Sequence, residues 1–587
     1  MTSLFEHAVQ LHRDGNLADA ESHYRQVLAG QPDHLDAAYL LGTVLLQSGR
    51  FDEAVTQLQS VAARRDDVPD VHNNLGVAHK ARGDWEAAAK SFQAAVRADP
   101  DYHEALFNLG ALMDERGLFA DARKCYEHAL RIEPGDVPTQ FGLANTFKQQ
   151  QNWPEAEDAY RNITNAGERE RERNVNLAFV LARQERLDEA AALYRDILAE
   201  HPDFAEIHSS LSYVLERQGR LDDAVAAAQT AIELQPELAE GHNNLGIALR
   251  SQHRLREAKD AFRKAVERKP DFALAAFNLG TTHLLAGEYS DGWAGYEKRI
   301  EALGLSPRSF PQPRWAGEPV PGGRLFVFAD QGFGDTIQFA RFLQDAKRRS
   351  QMKLVLECQP QLVPLLRQLG TVDAVIADGD APPQFDRWIP LASLSGLLNP
   401  NLDGVALSSV PYLQPVGELR RELAESLQAA RDERPLCGLV WRGNPEQARD
   451  PMRSIPLSIL KPVLETGNHQ FVSLQTGATA ADELAELPPD IRPADLGGEL
   501  RDFSDTAAVI HELDRLITVD TAAAHLAGAM GADAWTLLCH TPDWRWGLGG
   551  ESTPWYPRMR LFRQPEWGDW ASVVASVVAG LSSVEER

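Results

Sequence analysis

The sequence predicts an α-helical solenoid followed by an α/β region that is built as two lobes. Three observations support this order. A pattern of leucine, alanine and aromatic positions recurs with a 34-residue period through about the first 300 residues. A proline-rich stretch then interrupts the period. Beyond it, short apolar runs alternate with longer helical patterns, which is typical of a parallel sheet covered by helices.

The repeat is defined by several position classes in one frame. Leucine followed by a small residue recurs at Leu41-Gly42, Leu75-Gly76, Leu109-Gly110, Leu143-Ala144, Leu177-Ala178, Leu211-Ser212, Leu245-Gly246 and Leu279-Gly280. An alanine recurs in the same frame, and an aromatic residue follows most of these alanines by four positions. Small residues let paired helices approach, aromatic rings fill the space between units, and prolines stop the second helix. The pattern resembles the tetratricopeptide repeat, which implies roughly nine units over residues 1–302.

One polar position recurs on the first helices of the repeats. Asparagine precedes the leucine at Asn74, Asn108, Asn176, Asn244 and Asn278, and two intervening units lack it. Stacked amides can hydrogen-bond the backbone of an extended peptide without reading its side chains. Alternatively, asparagine fits a contact between helices. The row resembles the asparagine ladder of O-GlcNAc transferases, which implies that these residues bind a protein acceptor.

The predicted α/β region follows a linker at residues 303–323. The first lobe, 324–415, has strands at 325–328, 354–357 and 374–377, and the second, 435–587, has strands at 438–441, 471–474, 516–519 and 535–538. A polar helix within 416–434 links the lobes, and a last helix over Trp570–Leu581 closes the fold. In open parallel sheets, ligands bind outside the carboxyl ends of the strands, so we expect a site in the cleft between the lobes.

The charge, the cysteine content and the hydropathy of the sequence argue against several classes of partner and location. A net charge of −26 repels phosphate backbones, so nucleic acid is not an expected partner. The four cysteines are far apart and form no CxxC pair, which predicts neither a disulfide framework nor a zinc site. The first residues lack a secretory signal pattern, and no apolar run approaches the roughly 18 residues that span a bilayer. We therefore expect a cytoplasmic protein without a membrane span.

The first predicted strand runs into a glycine-containing turn. Gly332 and Gly334 follow the strand, and Asp335 comes at the start of a helical pattern. Glycines allow a ligand to approach the backbone, and a helix start offers free N–H groups. The alternative is a tight structural turn in which Asp335 caps the helix.

Polar turns follow two strands of the second lobe. Arg442 and Asn444 come directly after one strand, and Arg453 lies in the next loop. Two arginines suit a diphosphate, because guanidinium groups pair with phosphate oxygens. A later strand ends at Asp520-Thr521, where Thr521 is expected to cap the following helix and leave its amides directed at an anion.

Several segments carry a resemblance to a known family. These are QGFGDTIQF, GLVWRGNP, RSIPL, FVSLQ, DFSDTAAVI, ITVDTAAAHLAGAMG, PDWRW and PWYP. They resemble bacterial tetratricopeptide-repeat proteins fused to a heptosyltransferase-like glycosyltransferase domain of the GT-B fold. The resemblance implies inverting transfer from a nucleotide sugar, without a metal or other cofactor. It implies Asp335 as the base, and Asp520, Thr521, Ala522 and His525 as residues that bind the nucleotide diphosphate. The family usually has glycine where this chain has Ala522, so ADP-heptose is not implied as the donor.

The predicted mechanism follows from these roles. Asp335 takes the proton of an acceptor hydroxyl, and Arg442 or Arg453, with the amides at Thr521, stabilises the leaving diphosphate. Asn444, Gln475 and Asp505 are expected to orient the donor. The acceptor is predicted to be a protein held by the repeats, such as flagellin or another surface protein. Two alternatives remain: an interaction scaffold without activity, and a lipopolysaccharide-type transferase.

Overall fold

The computed structural model describes residues 3–402, 410–445, 447 and 450–583. Residues 403–409 of the predicted first lobe, and 446, 448–449 and 584–587 of the second, lie outside this described part. The chain divides into two compact units, Met1–Asp203 and Phe204–Arg587. The boundary falls inside the repeats, so the last repeats belong to the same unit as the α/β region.

The first unit consists of antiparallel helix pairs. Its described helices are Leu4–Arg13, Leu17–Gly30, Leu35–Gln47, Phe51–Ala62, Pro69–Ala81, Trp85–Ala98, His103–Glu115, Phe119–Ile132, Val137–Gln149, Trp153–Arg161, Glu170–Arg183 and Leu187–Glu200, with a 3₁₀ turn at Gly167–Arg169. In several pairs, the turn between the two helices contains a glycine with positive φ, such as Gly49 or Gly83. Glycine adopts this left-handed conformation without steric cost, so the chain reverses within a few residues.

Tyr126 shows how the small positions of the repeat work. A Cβ added at Gly110, on the first helix of the same pair, would lie 2.9 Å from the Tyr126 ring. A Cβ at Gly142, in the following pair, would lie 2.7 Å from it. The ring is buried. The aromatic side chain therefore packs against the small position of its own pair, as the sequence pattern predicts. It also packs against Gly142 of the next pair, which stands at the asparagine position of the frame.

The second unit begins with the remaining repeats. Their helices are Ala205–Arg217, Leu221–Leu234, Ala239–Ser251, Leu255–Arg268, Ala273–Leu285, Tyr289–Tyr296 and Arg299–Ala302. In the last pair, Gly292 and Gly295 meet Gly280 so closely that a Cβ at Gly280 would lie 2.7 Å from the backbone of both. In the final repeat the two helices thus meet backbone against backbone, whereas in earlier repeats an aromatic or leucine side chain lies between them.

Two parallel sheets follow. The first has the order β3-β2-β1-β4, and the second has the order β10-β9-β8-β5-β6-β7. The strands are β1 (Arg324–Phe328), β2 (Lys353–Cys358), β3 (Ala374–Ala377), β4 (Arg387–Pro390), β5 (Leu436–Val440), β6 (Gln470–Ser473), β7 (Ala494–Asp495), β8 (Arg515–Val519), β9 (Ala534–Leu538) and β10 (Met559–Arg563). The central strands are almost wholly buried, which explains their continuous apolar runs.

The seven strands expected from the sequence are all present, and three more were not predicted. The short β4 and β7 contain charged residues, and β10 contains Arg560 and Arg563, which interrupt its apolar pattern. The linking polar helix is shorter than expected, Arg421–Ala430, because the backbone becomes extended at Arg431. The other helices of the region are Phe333–Phe339, Leu343–Ser350, Val363–Leu366, Ser393–Leu398, Asp450–Arg453, Lys461–Leu464, Ala478–Glu486, Phe503–Glu512, Ala522–Met530 and Trp570–Ser583.

Short 3₁₀ segments complete the region. They are Ala340–Phe342, Pro360–Leu362, Leu457–Leu460, Gly497–Glu499 and Trp544–Trp546. Among the helices of the described residues, none has both the length and the apolar character needed to cross a bilayer.

The last repeat shares a hydrophobic core with the first sheet. Leu284, Trp293 and Tyr296 belong to the same buried cluster as Leu325 of β1. Trp293 also donates a hydrogen bond from Nε1 to the backbone oxygen of Pro400, 2.9 Å away. The final repeat is therefore part of the core that supports the α/β region.

Candidate functional site

A cavity of about 770 Å³ lies at the carboxyl ends of the parallel strands. Its lining comes from the segments that follow β1, β2, β5, β6, β8 and β9, and from the segment before the helix Phe503–Glu512. Both sheets therefore contribute to it. This is the place at which open parallel sheets bind ligands.

The residues predicted for catalysis and donor binding come together in this lining. They are Gly332, Gly334, Asp335, Arg442, Asn444, Arg453, Gln475, Asp520, Thr521, Ala522 and His525. Their chemical roles stay predictions. Asp505 does not line the cavity: its carboxylate accepts hydrogen bonds from Arg420 at 3.2 Å and from Arg501 at 2.9 Å. Its expected role in orienting a donor stays a prediction, and the helix that contains it is capped by Asp502.

The turn after β1 differs in detail from the expected one. Gly332 is the N-cap residue and the helix begins at Phe333, so Asp335 lies inside the first turn and is not the cap. A Cβ at Gly334 would lie 2.7 Å from the His525 ring. Glycine is therefore required here because the two sides of the cavity approach each other closely.

Arg545 is the principal partner of Asp335, and the sequence did not predict it. Its guanidinium forms an ion pair with Asp335 and donates to Asp543 at 2.6 Å. Burial raises the pKa of Asp335, and the Arg545 charge opposes that rise. The sequence signal for this residue was the PDWRW segment, in which a lone arginine stands between two tryptophans that both prove to be buried.

The two arginines that the sequence predicts for diphosphate binding are already paired with carboxylates. Arg442 donates from Nε and Nη2 to Glu483, each at 2.7 Å. Arg453 donates from Nε to Asp450 at 3.1 Å and from Nη1 to the backbone oxygen of Asp520 at 3.1 Å. The positive charge expected for a diphosphate is therefore present, but each guanidinium is held in place by an acid.

The segment after β8 supplies the helix start. Thr521 is the N-cap residue, yet its hydroxyl lies 3.0 Å from that of Thr518 and does not cap the helix, contrary to the prediction. Burial, with Asp543 nearby, raises the pKa of Asp520 to about 6. Burial also lowers the pKa of His525 well below its usual value, so the imidazole is neutral at pH 7. Its Nδ1 lies 2.9 Å from the hydroxyl of Tyr556.

Gln475 holds two loops together. Its Oε1 accepts hydrogen bonds from the backbone N–H groups of Trp441 at 3.0 Å and Arg442 at 2.8 Å. The amide therefore fixes the turn after β5. This contact places Arg442 at the cavity and leaves Gln475 as a supporting residue at its wall.

The asparagine row of the repeats makes contacts within the helices. The side-chain nitrogens of Asn74, Asn108, Asn244 and Asn278 donate to Tyr39, Asn73, Ser209 and Asn243, each 35 residues earlier and thus on the first helix of the preceding repeat. Asn176 donates to the backbone oxygen of Glu172. Binding of an acceptor by this row stays a prediction, and the alternative of a contact between helices accounts for these hydrogen bonds.

Two clusters of side chains have the composition of metal ligands. They are His103 with Glu133 and Asp136, and His283 with Glu288 and Asp291, each with its ligand atoms within 4.8 Å of one another. Both lie in the repeats, outside the lining of the cavity. Glu288 is already hydrogen-bonded to Lys259 and His283.

Gly443 packs against the paired Arg453 and Asp450. A Cβ at this position would overlap Asp450 Oδ1 and lie 2.6 Å from Arg453 Nη2. Both atoms are at the ends of side chains, so Gly443→Ala should leave the protein folded and displace the guanidinium. Loss of one charge-assisted hydrogen bond to a diphosphate corresponds to roughly a tenfold weaker Kd or more. Titration calorimetry with nucleoside diphosphates measures this change in Kd between the wild type and the variant.

The control for this prediction is Gly498→Ala. Gly498 has nothing within 4 Å of an added Cβ, lies in the 3₁₀ segment Gly497–Glu499 and does not line the cavity. An unchanged Kd in Gly443→Ala, with Gly498→Ala also unchanged, would show that Arg453 does not contact the diphosphate.

Comparisons with known proteins agree with the repeat architecture. Models of the tetratricopeptide repeat match residues 11–75, 73–137, 141–203, 175–239 and 239–272. The N-terminal part of the chain therefore consists of tetratricopeptide repeats, which are protein-interaction modules. The chain is 30% identical to Protein FlbA of Caulobacter vibrioides over 332 residues, which are 51% of this chain and 54% of that protein. The chain thus spans about half the length of this curated relative.

Two solved structures match parts of the chain. YrrB, described as a tetratricopeptide-repeat protein with an unusual peptide-binding site, is 21% identical with a TM-score of 0.27, over 32% of this chain and 96% of YrrB. PilF of Pseudomonas aeruginosa is 18% identical with a TM-score of 0.31, over 34% of this chain and 90% of PilF.

Proposed function

We propose that the chain is a glycosyltransferase of the GT-B type, which moves a sugar from a nucleotide sugar to a hydroxyl group of a protein acceptor bound by the repeats. One observation carries the proposal. A carboxylate with a raised pKa, four arginines and the start of a helix line a single cavity at the carboxyl ends of two parallel sheets. These are the groups needed to accept a proton and to stabilise a departing diphosphate.

The base in this proposal is Asp335. Its carboxylate takes the proton of the acceptor hydroxyl while the oxygen attacks the anomeric carbon. The bond from that carbon to the diphosphate breaks on the opposite face, and the configuration inverts. The raised pKa brings the carboxyl group closer to neutral pH, where a general base is most effective.

The departing diphosphate gains negative charge, which Arg453, Arg442 and the first amides of the helix Ala522–Met530 stabilise. The neutral His525 ring adds a hydrogen-bonding group without adding charge. Because these residues already supply positive charge and donors, no step of the proposed mechanism requires a metal ion. A volume of about 770 Å³ falls within the range of sites that bind molecules as large as a nucleotide sugar.

The acceptor is proposed from the repeats. Tetratricopeptide units bind proteins, and the chain places them next to the α/β region without another domain between. A protein acceptor explains their presence better than a lipid acceptor does. Flagellin or another surface protein is the proposed substrate class.

A panel of nucleotide sugars, screened by thermal unfolding, tests donor binding. The true donor at a hundredfold excess over Kd should stabilise the protein by about 2.7 kcal/mol, because ligand binds the folded state alone. EDTA should leave both the stabilisation and sugar transfer unchanged. Mass spectrometry of acceptor proteins should show addition of one sugar per site.

The alternative function is a scaffold without activity, and the existing pairs of Arg442 and Arg453 with carboxylates favour it. If no nucleotide sugar stabilises the protein, the scaffold is the function. The same conclusion follows if a nucleotide binds but the protein never releases or transfers the sugar. A strict need for a divalent metal would refute the proposed mechanism.

A further inference from the structure

The turn that carries Asp335 is held at both of its ends by buried arginines. The turn runs from Asp330, just after β1, to Asp335 in the first turn of the next helix. Arg299 pairs with Asp330, and Arg545 pairs with Asp335. The two arginines come from distant parts of the sequence, the last repeat and the segment after β9.

The pair at the first end is the more deeply buried one. Arg299 is 1% exposed, and it contacts Asp330 Oδ2 from Nε and Nη2, each at 2.6 Å. It also donates to Ser393 Oγ at 2.9 Å and to Glu297 Oε1 at 3.2 Å. Asp330 in turn accepts from the backbone N–H of Ala392 at 3.4 Å. A buried charge with this many partners has one position, because leaving any of them unpaired is costly.

Arg545, at the second end, is 8% exposed. Its guanidinium reaches Asp335, Asp543, Gln338 and the hydroxyl of Tyr296, the last at 3.4 Å. Three of these partners lie in the α/β region, and Tyr296 is the contribution of the last repeat.

Tyr296 joins the two ends of this arrangement. Its ring lies 5.1 Å from the Arg299 guanidinium carbon and packs against Trp544 and Phe339, with ring centroids 5.7 Å and 6.4 Å away. The side chain is 2% exposed, so the hydroxyl has little freedom to move. It occupies the aromatic position of its repeat, the position that Tyr126 and Tyr160 hold in earlier repeats, where the rings pack between helices and do not line the cavity.

We infer that Tyr296 and Arg299 are positioning residues of the transferase centre, and that the last repeat thereby sets where Asp335 and Arg545 stand. The inference rests on the proposed function in taking Asp335 as the base. It assigns the final tetratricopeptide unit to the positioning of the catalytic residues and gives the earlier units no part in it.

Loss of the Tyr296 hydroxyl should change the pH dependence of transfer. The titratable groups that face Asp335 from the surrounding segments are Arg545, Asp543, Asp330, Asp520, His525 and Tyr296. The Arg545 cation lowers the pKa of Asp335, so a displaced Arg545 lets that pKa rise. The base works when ionised, and activity is lost as the pH falls through its pKa. The acidic limb of the rate profile should therefore move to higher pH.

The experiment compares Tyr296→Phe with Tyr160→Phe in the full chain. Tyr160 is equally buried, occupies the same repeat position, and donates its hydroxyl hydrogen to Asn145 at 2.5 Å. Tyr296→Phe should lower kcat by roughly threefold to tenfold with the donor KM unchanged, as expected for one hydrogen bond. Tyr160→Phe should change neither. In an Arg545→Lys background, Tyr296→Phe should add no further loss, because the hydroxyl acts through the guanidinium.

Hydrogen exchange provides a readout that needs no activity. The backbone amides of residues 329–339 should exchange faster in Tyr296→Phe than in the wild type, and not in Tyr160→Phe. Equal exchange and equal kcat in the two variants would overturn the inference while leaving the proposed function intact. A wild-type protein that transfers no sugar would overturn the proposed function, and exchange would then still decide whether the last repeat holds the turn.

Discussion

Asp335→Asn should reduce sugar transfer by roughly a hundredfold or more, while donor binding changes little. The amide has the shape of the carboxyl group but cannot accept the acceptor's proton. The side-chain oxygen of the amide can still accept a hydrogen bond from Arg545, which also keeps its contacts with Asp543 and Gln338, so the cavity should keep its form. Transfer kinetics and titration with a nucleoside diphosphate, measured on the same preparation, separate the two effects.

Asp543→Asn is the matched control. It removes the other carboxylate that pairs with Arg545, and it leaves Asp335 in place. Asp543 raises the pKa of Asp335, so its neutralisation should move the acidic limb to lower pH, with a much smaller loss of kcat. Near-normal turnover in Asp335→Asn would contradict the assignment. If Asp520→Asn were inactive at the same time, the base would be Asp520, whose pKa is raised to about 6.

Removal of the last repeat should unfold the α/β region. A fragment of residues 204–587 should fold cooperatively, whereas 303–587 should not. The shorter fragment loses Leu284, Trp293 and Tyr296 from the shared core. Each such side chain contributes about 1.5–3 kcal/mol when buried. Their sum is comparable with the roughly 5–15 kcal/mol that stabilises a domain.

Circular dichroism and thermal unfolding of the two fragments provide the test. A fragment of residues 273–587, which keeps the last repeat alone, distinguishes a need for this unit from a need for repeats in general. It should fold, with lower stability than 204–587. A cooperative transition in the fragment 303–587 would show that the linker is a true domain boundary and that the last repeat is dispensable for folding.

Periodic features of the fold could be predicted from the sequence because they depend on local spacing. The 34-residue frame indicates the helix pairs, and buried parallel strands read as continuous apolar runs. The strand β7 could not be predicted, since two residues, Ala494 and Asp495, carry no pattern of their own. Its place at the edge follows from its neighbour β6.

The candidate site was predictable where residues follow strands directly. Arg442 and Asp520 follow the neighbouring parallel strands β5 and β8, whose carboxyl ends meet at one edge of the second sheet, and Asp335 follows β1 at the corresponding edge of the first sheet. The pairing of each charge was not predictable. Arg545 and Asp335 are 210 residues apart, and Arg442 meets Glu483 only through the packing of a helix. Such contacts depend on side-chain geometry across elements, on which a spacing pattern carries no information.

The backbone contact of Gly280 with Gly292 and Gly295 has a consequence for how such a chain can evolve. Earlier units interlock through side chains that many sequences can supply, so whole units can be duplicated or lost there while the frame is kept. The final unit admits neither a bulkier residue at these glycines nor a shift of frame, because its two helices are in van der Waals contact along their main chains. Selection should therefore allow the number of earlier units to differ between lineages while the terminal unit and its three glycines are retained.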